Sequence, residues 1–422
     1  MPQALSHNEM TPYHSLPVKN TLSFLADKEP FALLETTRCD PKNFLSYIFC
    51  KPAGKIEINN YSDLPLFFNQ IDSFLKTGYY LAGFFSYEAG NSFNVGAPFM
   101  APAGRINATP TIPLARFYLF RKPLIFDHQS GLFSGGSLPE ESGFPENYTL
   151  NKPLLNVGFT EYKKNVGRIK ELITAGDTYQ VNYTLKCKFN FSGSSFGLYQ
   201  DLRERQTVAY SAFIKDHDFS LLSFSPELFF RKFGQKIIVR PMKGTISRGK
   251  DACRDRQQIQ LLEQSPKERS ENVMIVDLMR SDLGRVSEVG TVRTNSLFDI
   301  EEYETLFQMT STISGILKEN LSFGGLFEAI FPSGSVTGAP KIRTMEIIRE
   351  LEKEERGVYT GAVGVFFPNR DAVFNVAIRT LLITGKEGEM GIGGGITFDS
   401  NSRREYEECK LKALFFVDNY PP

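Results

Sequence analysis

The chain of 422 residues has no tryptophan, only four histidines and only five cysteines. Cys39, Cys50, Cys187, Cys253 and Cys409 are scattered and odd in number, with no C-x-x-C pair and no metal spacing. Such a set predicts reduced thiols in a cytoplasmic protein. An excess of charge is also missing. Lys plus Arg and Asp plus Glu both number 48, so no net field favours nucleic acid or an anionic membrane. No apolar run approaches the about 18 residues of a membrane span. The N-terminal MPQALSHNEMTPYHSL has neither the basic start nor the apolar stretch of a secretory signal. No nucleic acid and no membrane are therefore expected as partners.

Phenylalanine is abundant, at 37 residues, and supplies ample core. A chain of this length exceeds what one compact core usually holds, so one composite domain or two are both allowed. The stretch SGGSLPEESGFPEN (134–147) is polar, rich in Gly, Ser and Pro, and without period. It reads as a linker or long surface loop between a segment 1–157 and a segment 158–422. In the first segment FALLETT (31–37), GYYLAGFFSYEAG (78–90) and ARFYLFRKPLIFD (115–127) read as strands. Glu35 and Glu88 lie near strand ends and read as solvated.

The second segment carries the chemistry. Thr160 can cap a helix bearing Val166, Ile169, Leu172 and Ile173, which Ala175-Gly176-Asp177 ends. TYQVNYTLKCKFNF reads as a long strand containing Gln180. In SFSPELFFRK, Glu227 sits between two apolar strands. Partial burial there would raise its pKa and make it a proton donor near neutrality. The strand KIIVR ends at Pro241, and Lys243 follows in a glycine turn, PMKGT. In dry surroundings its amine would be neutral and nucleophilic; alone, it also reads as a surface lysine in a β-turn.

Two helices then repeat one pattern. After Ser265-Pro266, a cap with Pro at the first helical position, Glu268, Glu271, Ile275, Leu278 and Asp282 share a stripe at 3-to-4 spacing. After Ser400-Asn401-Ser402, Glu405 and Glu408 share a side with Leu411 or Lys412 and with Phe415. Alone, E-x-x-E also describes a solvated helix face. If the four carboxylates converge, a hard cation such as Mg²⁺ relieves their repulsion. FPSGSVTGAPKIRTMEII supplies a Gly/Ser/Thr loop with Pro340 opening a helix. RGVYTGAVGVFF, AVFNVAIRTLLI and GEMGIGGGITFDS read as three antiparallel strands. Arg379, on the middle one, faces the core, where an arginine usually has a carboxylate partner.

These stretches together resemble the chorismate-utilising enzymes, the group of anthranilate, aminodeoxychorismate, isochorismate and salicylate synthases. The resemblance is strong over about residues 158–418 and weak before them. It rests on PMKGT, AGDTYQVN, SPE, ERSENVMIVDLMRSDLGR, the P-x-G-[ST]-[IV]-[ST]-G-[AS]-P-K loop and EYEECKLK. It implies an α+β fold, antiparallel β-sheets forming a sandwich with helices outside, of the anthranilate synthase component I type. It also implies Mg²⁺, held directly by Glu271 and Glu408 and through water by Glu268 and Glu405. Lys243 would attack ring C2 and Glu227 would be the general acid and base. Tyr359 and Arg379 would hold the enolpyruvyl carboxylate with the backbone of Gly394 and Gly395. Gly244 and Thr245 would receive the ring carboxylate. Gln180, Thr337 and Lys412 match further substrate-binding positions. The resemblance also implies that the first segment can hold a regulatory amino acid.

Within the family the turn usually reads P-[IL]-A-G-T. The lysine form is typical of the branch that aminates chorismate at C4 with ammonia to 4-amino-4-deoxychorismate, for p-aminobenzoate and folate. Gln180 stands where isochorismate and salicylate synthases have a water-activating lysine, and argues against hydroxylation. Gln308 stands where relatives that aromatise commonly have histidine. An anthranilate-forming component, or a catalytically impaired regulatory subunit that binds chorismate, are the alternatives. No cysteine sits in a G-x-C-x-G turn, so a separate glutamine amidotransferase subunit (component II) is expected. A separate PLP-dependent lyase would act on the product downstream.

Overall fold

The computed structural model describes residues 13–93, 112–138, 143–304 and 306–413. Phe415 and residues 139–142 of the expected linker lie outside them. Two antiparallel sheets stack face to face, with helices on both outer faces, so the fold is an α+β sandwich. Strand periodicity produces the layers. In Tyr80–Phe85, Leu81 and Phe85 point to one side and pack with the helices Leu64–Lys76 and Phe323–Ile330. Ala82 and Phe84 point to the other and meet Ala32, Phe49, Ile214 and Leu221 of the opposite sheet. Both faces of such a strand are covered, which is why GYYLAGFF reads as an unbroken apolar run. On the far side of the first sheet, the helices Phe159–Thr174, Ser195–Arg205, Lys341–Leu351 and Ser402–Ala413 close a second core. No helix among the described residues is long and apolar enough to cross a membrane.

The stretches 1–157 and 158–422 share both sheets. The first sheet runs from Gly338–Ala339 through Gln180–Gly193, Glu387–Ile396, Thr380–Thr384, Ser220–Ser225 and Tyr210–Lys215. It continues into Phe31–Glu35, Leu45–Cys50, Leu124–Asp127 and Leu132–Ser134. The second is extended in the same way, Ala362–Phe366 pairing with Tyr80–Phe85 and that strand with Ala115–Phe120.

Several local expectations change. AVFNVAIRTLLI is two strands, Ala372–Val376 in the second sheet and Thr380–Thr384 in the first, with Arg379 at the crossing. Ser225-Pro226-Glu227 makes a similar crossing between Ser220–Ser225 and Leu228–Phe233. The two crossings are laced together: Phe224 N donates to Arg379 O (3.0 Å), Val376 N to Glu227 O (3.0 Å) and Ser225 Oγ to Val376 O (2.6 Å). The helix expected to start at a Thr160 cap has Gly158 as its cap residue, and Thr160 lies in its first turn. Neither Glu35 nor Glu88 is solvated. Glu35 accepts from Tyr199 Oη (2.8 Å) and Arg203 Nε (2.7 Å) inside the core. Glu88 is buried and accepts from the backbone N–H groups of Arg356 (2.7 Å) and Gly357 (3.0 Å). Between the sheets lies a cavity of about 480 Å³, lined by Glu35, Tyr47, Tyr210, Arg231 and Asn375 among others.

Candidate active site

Lys243 lies within a strand, Met242–Ser247, where a turn was expected. That strand closes one end of the second sheet against Leu306–Ile316, and the pairing slips between Met242 and Thr245. The bulge needs Gly244, whose φ of +94° falls in the left-handed region that a side chain disfavours. Gln308 holds the bulge from both ends. Its Nε2 donates to Gly244 O (3.0 Å) and its Oε1 accepts from Thr245 Oγ1 (2.9 Å). The Lys243 amine extends over Gly395. A Cβ at that glycine would lie 3.2 Å from Lys243 Nζ and 2.3 Å from Gln180 Nε2, so a side chain there would displace both. Burial pushes the Lys243 amine below the ordinary lysine range, against the pull of the Glu271 and Glu227 carboxylates, and Lys412 adds to the lowering. Lys243 is half-buried and in a strand, where the alternative had a surface lysine in a β-turn.

Glu227, at the first sheet crossing, is buried, and burial raises its carboxyl to about 7. Ser335 Oγ donates to its Oε1 at 2.6 Å, and that bond, the Lys243 charge and the Met242 backbone oppose the rise. A carboxyl with this pKa beside an amine lowered by burial is suited to exchange protons near neutral pH.

Pro266–Val286 is capped as expected, Ser265 Oγ accepting from Glu268 N (3.3 Å). Its stripe faces inward: Ile275 and Asp282 are buried, and Glu268 and Glu271 are half-buried. Gln180 Nε2 donates to Glu271 Oε2 (3.1 Å), tying the helix to the long strand Gln180–Gly193. On Ser402–Ala413, Glu405 is half-buried and accepts from Ser400 Oγ (2.9 Å), while Glu408 is exposed and pairs with Lys412 (2.7 Å). Among the described residues no three acidic, histidine or cysteine side chains stand close enough to hold a metal by themselves. The donor set nevertheless fits a hard dication that keeps water and substrate as its other ligands. Burial first, and then the charge of Glu271 and Glu408, hold Glu268 above the usual carboxylate range; Glu405 is raised by burial and by Glu408. Lys267 beside Glu271 (3.9 Å) and Lys412 beside Glu408 carry the balancing charge.

The other anticipated residues divide. Gly394 and Gly395 lie on Glu387–Ile396, which Thr380–Thr384 pairs only as far as Met390, so among the described residues the strand has an unpaired edge at the site. Lys412 Nζ reaches Gly393 O (2.9 Å) beside Gly394. The Tyr359 ring covers Gly391, farther along the strand. Thr337 is buried and gives its hydroxyl to Ser333 O (3.1 Å) and Gly334 O (3.3 Å), inside its own loop. Arg379 has φ +49° and donates from Nη1 to Gln206 Oε1 (2.9 Å). Among the described residues it has no carboxylate partner, contrary to expectation, and burial lowers its pKa. A half-buried guanidinium without a carboxylate, on a backbone held at positive φ, suits an anion brought from outside. No described contact joins Tyr359 and Arg379.

Three contributors carried no clear sequence signal. Asn272 donates to Lys243 O (3.5 Å) and accepts from Ser311 Oγ (2.6 Å), yet it reads as one polar residue in a helix. Ser335 was visible only as part of a loop motif. Arg356 appears in the sequence only as the first residue of the strand-like run RGVYTGAVGVFF. It is buried, pairs with Glu352 (2.7 Å) and donates to Val336 O (2.8 Å) and Asn182 O (2.6 Å). It thus fixes the Ser335 loop against the strand bearing Gln180.

The site thus brings together a half-buried lysine, a buried carboxyl of pKa about 7 and two helices that carry glutamates. The model of the chorismate binding enzyme matches residues 34–418, and the chain belongs to that family. Over 258 residues it is 42% identical to aminodeoxychorismate synthase component 1 of Bacillus subtilis (strain 168), covering 61% of this chain and 55% of that one. Over 338 residues it is 34% identical to the protein of the same name from Salmonella typhimurium, covering 77% and 73%. Anthranilate synthase component 1 of Neisseria gonorrhoeae is 38% identical over 260 residues, covering 62% and 53%. The chain thus spans from about half to three quarters of the length of these relatives. In fold it is similar to anthranilate synthase component I from Streptococcus pneumoniae TIGR4, with a TM-score of 0.75 at 24% identity over 90% of this chain and 93% of that one.

Proposed function

We propose that this chain aminates chorismate at C4 with ammonia, giving 4-amino-4-deoxychorismate, the chemistry in the name of its relatives from Bacillus subtilis and Salmonella typhimurium. The observation that carries the reading is Lys243, an amine pushed toward neutrality by burial and set beside a carboxyl of pKa about 7. The neutral Lys243 amine adds to ring C2. The two ring double bonds shift, and the C4–O bond breaks as Glu227 gives its proton to the departing hydroxyl, which leaves as water. Ammonia then adds at C4, the double bonds shift back, and the C2–N bond to Lys243 breaks. Glu227 takes up the proton shed by the new C4 amine, and the enolpyruvyl ether stays intact.

The bulge at Gly244–Thr245 would offer its backbone to the ring carboxylate. Arg379, Tyr359 and the free edge at Gly394 and Gly395 would serve the enolpyruvyl carboxylate, with Lys412 at the rim and Gln180 beneath the ring. Mg²⁺ held by Glu271 and Glu408, with Glu268 and Glu405 acting through water, would stabilise negative charge at the ring carboxylate. Gln308 argues against an impaired subunit, because both ends of its amide are used to hold the Lys243 bulge. A glutamine amidotransferase subunit would supply ammonia in the cytoplasm, and a separate PLP-dependent lyase would release p-aminobenzoate toward folate.

The purified chain, given chorismate, Mg²⁺ and ammonium at alkaline pH, should form a non-aromatic amine without pyruvate. Glutamine should serve only after an amidotransferase is added. Fluorescent anthranilate with stoichiometric pyruvate would assign the chain to the anthranilate-forming branch, and no consumption of chorismate would reject amination altogether.

A further inference from the structure

Glu227 is backed by two hydroxyls with no part in the scheme above. Ser335 Oγ is 2.6 Å from Glu227 Oε1, and Ser333 Oγ is 2.9 Å from Ser335 Oγ. All three side chains are buried, at 3%, 5% and 2% exposure for Glu227, Ser335 and Ser333. A serine has one proton to give. When Ser335 gives it to an ionised Glu227, it can only accept from Ser333, so the chain is polarised toward the carboxylate. When Glu227 is protonated the same chain can reverse, the carboxyl donating to Ser335 Oγ and Ser335 turning its proton to Ser333 Oγ. A lysine ammonium in that place could only donate, and would favour the ionised state alone.

The loop that presents the serines is fixed on several sides. Thr337 Oγ1 donates to Ser333 O, while Arg356 Nη1 (2.8 Å) and Asn182 Nδ2 (3.1 Å) both donate to Val336 O. The charged group facing Glu227 is Lys243, on Met242–Ser247; the Met242 backbone and Ser335 supply the carboxyl's other polar contacts.

We propose that Ser335, with Ser333 behind it, is a positioning residue that holds the Glu227 carboxyl in both protonation states and aims its proton at the departing hydroxyl. The inference rests on the reading of Glu227 as the proton donor in amination. Its test uses two readouts, the pH dependence of ammonium-dependent turnover and an infrared titration of the buried carboxyl in the free protein, the band being assigned with Glu227→Gln. Ser335 holds both states but the ionised one more strongly, because a hydrogen bond to a carboxylate is charge-assisted, so its loss in Ser335→Ala should move the Glu227 midpoint upward by about one pH unit. In that variant kcat should fall about tenfold or more, with KM for chorismate changed less than about twofold. Ser335→Thr, which keeps the hydroxyl, should restore both, and Ser333→Ala should move the midpoint the same way by less. Unchanged midpoints in folded Ser335→Ala or, should that variant not fold, in Ser333→Ala would overturn the proposal. If the wild-type chain makes no C4 amine, the amination reading fails while the infrared shift still reports on the serines.

Discussion

Glu227 ionises at about 7 in the folded chain against 4.5 in the absence of burial, so the two states bind protons unequally. Its folded pKa is raised. The stability it contributes is therefore complete below about 4.5 and is lost as pH rises to about 7. Glutamine in its place never ionises. Glu227→Gln should leave stability near that of wild type at about pH 4.5 and exceed it by about 1–3 kcal/mol at about pH 8. Urea midpoints at the two pH values check this, and an equal effect at both would mean that Glu227 is not held neutral by burial. Lys243→Ala should lower ammonium-dependent turnover by about a thousandfold or more while chorismate still binds. Full retention of the rate, measured at saturating chorismate, would remove Lys243 from covalent catalysis. At this scale the sequence made Lys243 and Glu227 legible through motif and flanking apolar strands. It did not reveal that Gln308 grips the bulge, because that contact spans two strands and depends on their slipped register.

The helices Pro266–Val286 and Ser402–Ala413 each bring two glutamates to one place, and their roles divide. Glu268 and Glu405 are half-buried and raised, whereas Glu408 stays exposed with Lys412. Chelation of Mg²⁺ should abolish turnover and its return restore it. Glu271→Gln or Glu408→Gln should cut activity by about a hundredfold or more. A thermal midpoint that rises with Mg²⁺ in the wild-type chain should rise less in either variant; normal turnover by metal-free protein would sink the site. Farther along Pro266–Val286, buried Asp282 Oδ2 accepts from Lys341 Nζ (2.5 Å), which also donates to Ile330 O (3.1 Å) and so anchors the serine loop's trailing end. Lys341→Ala strands a buried carboxylate and should cost about 3–5 kcal/mol, less when combined with Asp282→Ala. Chemical denaturation of the single and double variants measures the difference. The helix and its cap were legible because Ser-Pro and a 3-to-4 stripe are local signals. The split of AVFNVAIRTLLI was not, since an apolar run fits one long strand as well as two strands that change sheets.

For the molecule as a whole, the sandwich was anticipated through family likeness, while the sharing of both sheets by the two stretches was not. Local pattern identifies strands but not their distant neighbours. A chain beginning at residue 158 would leave Tyr210–Lys215 and Ala362–Phe366 as bare edges and open the core between Phe84, Tyr118 and Leu221. Residues 158–422 made alone should aggregate or show no cooperative unfolding, by light scattering and thermal melt. A soluble, cooperatively folding fragment would mean that the shared sheets contribute little.

The sharing of sheets also has a consequence in time. Tyr80–Phe85 leaves the ribosome long before Ala362–Phe366, the strand it must pair with. With roughly 280 residues still to be made at about 5–20 residues per second, its apolar edge waits some quarter-minute to a minute. Phe31–Glu35 waits for Tyr210–Lys215 in the same way. Chains halted on the ribosome before Ala362–Phe366 is made should therefore be far more protease-sensitive over residues 80–93 than chains released at full length.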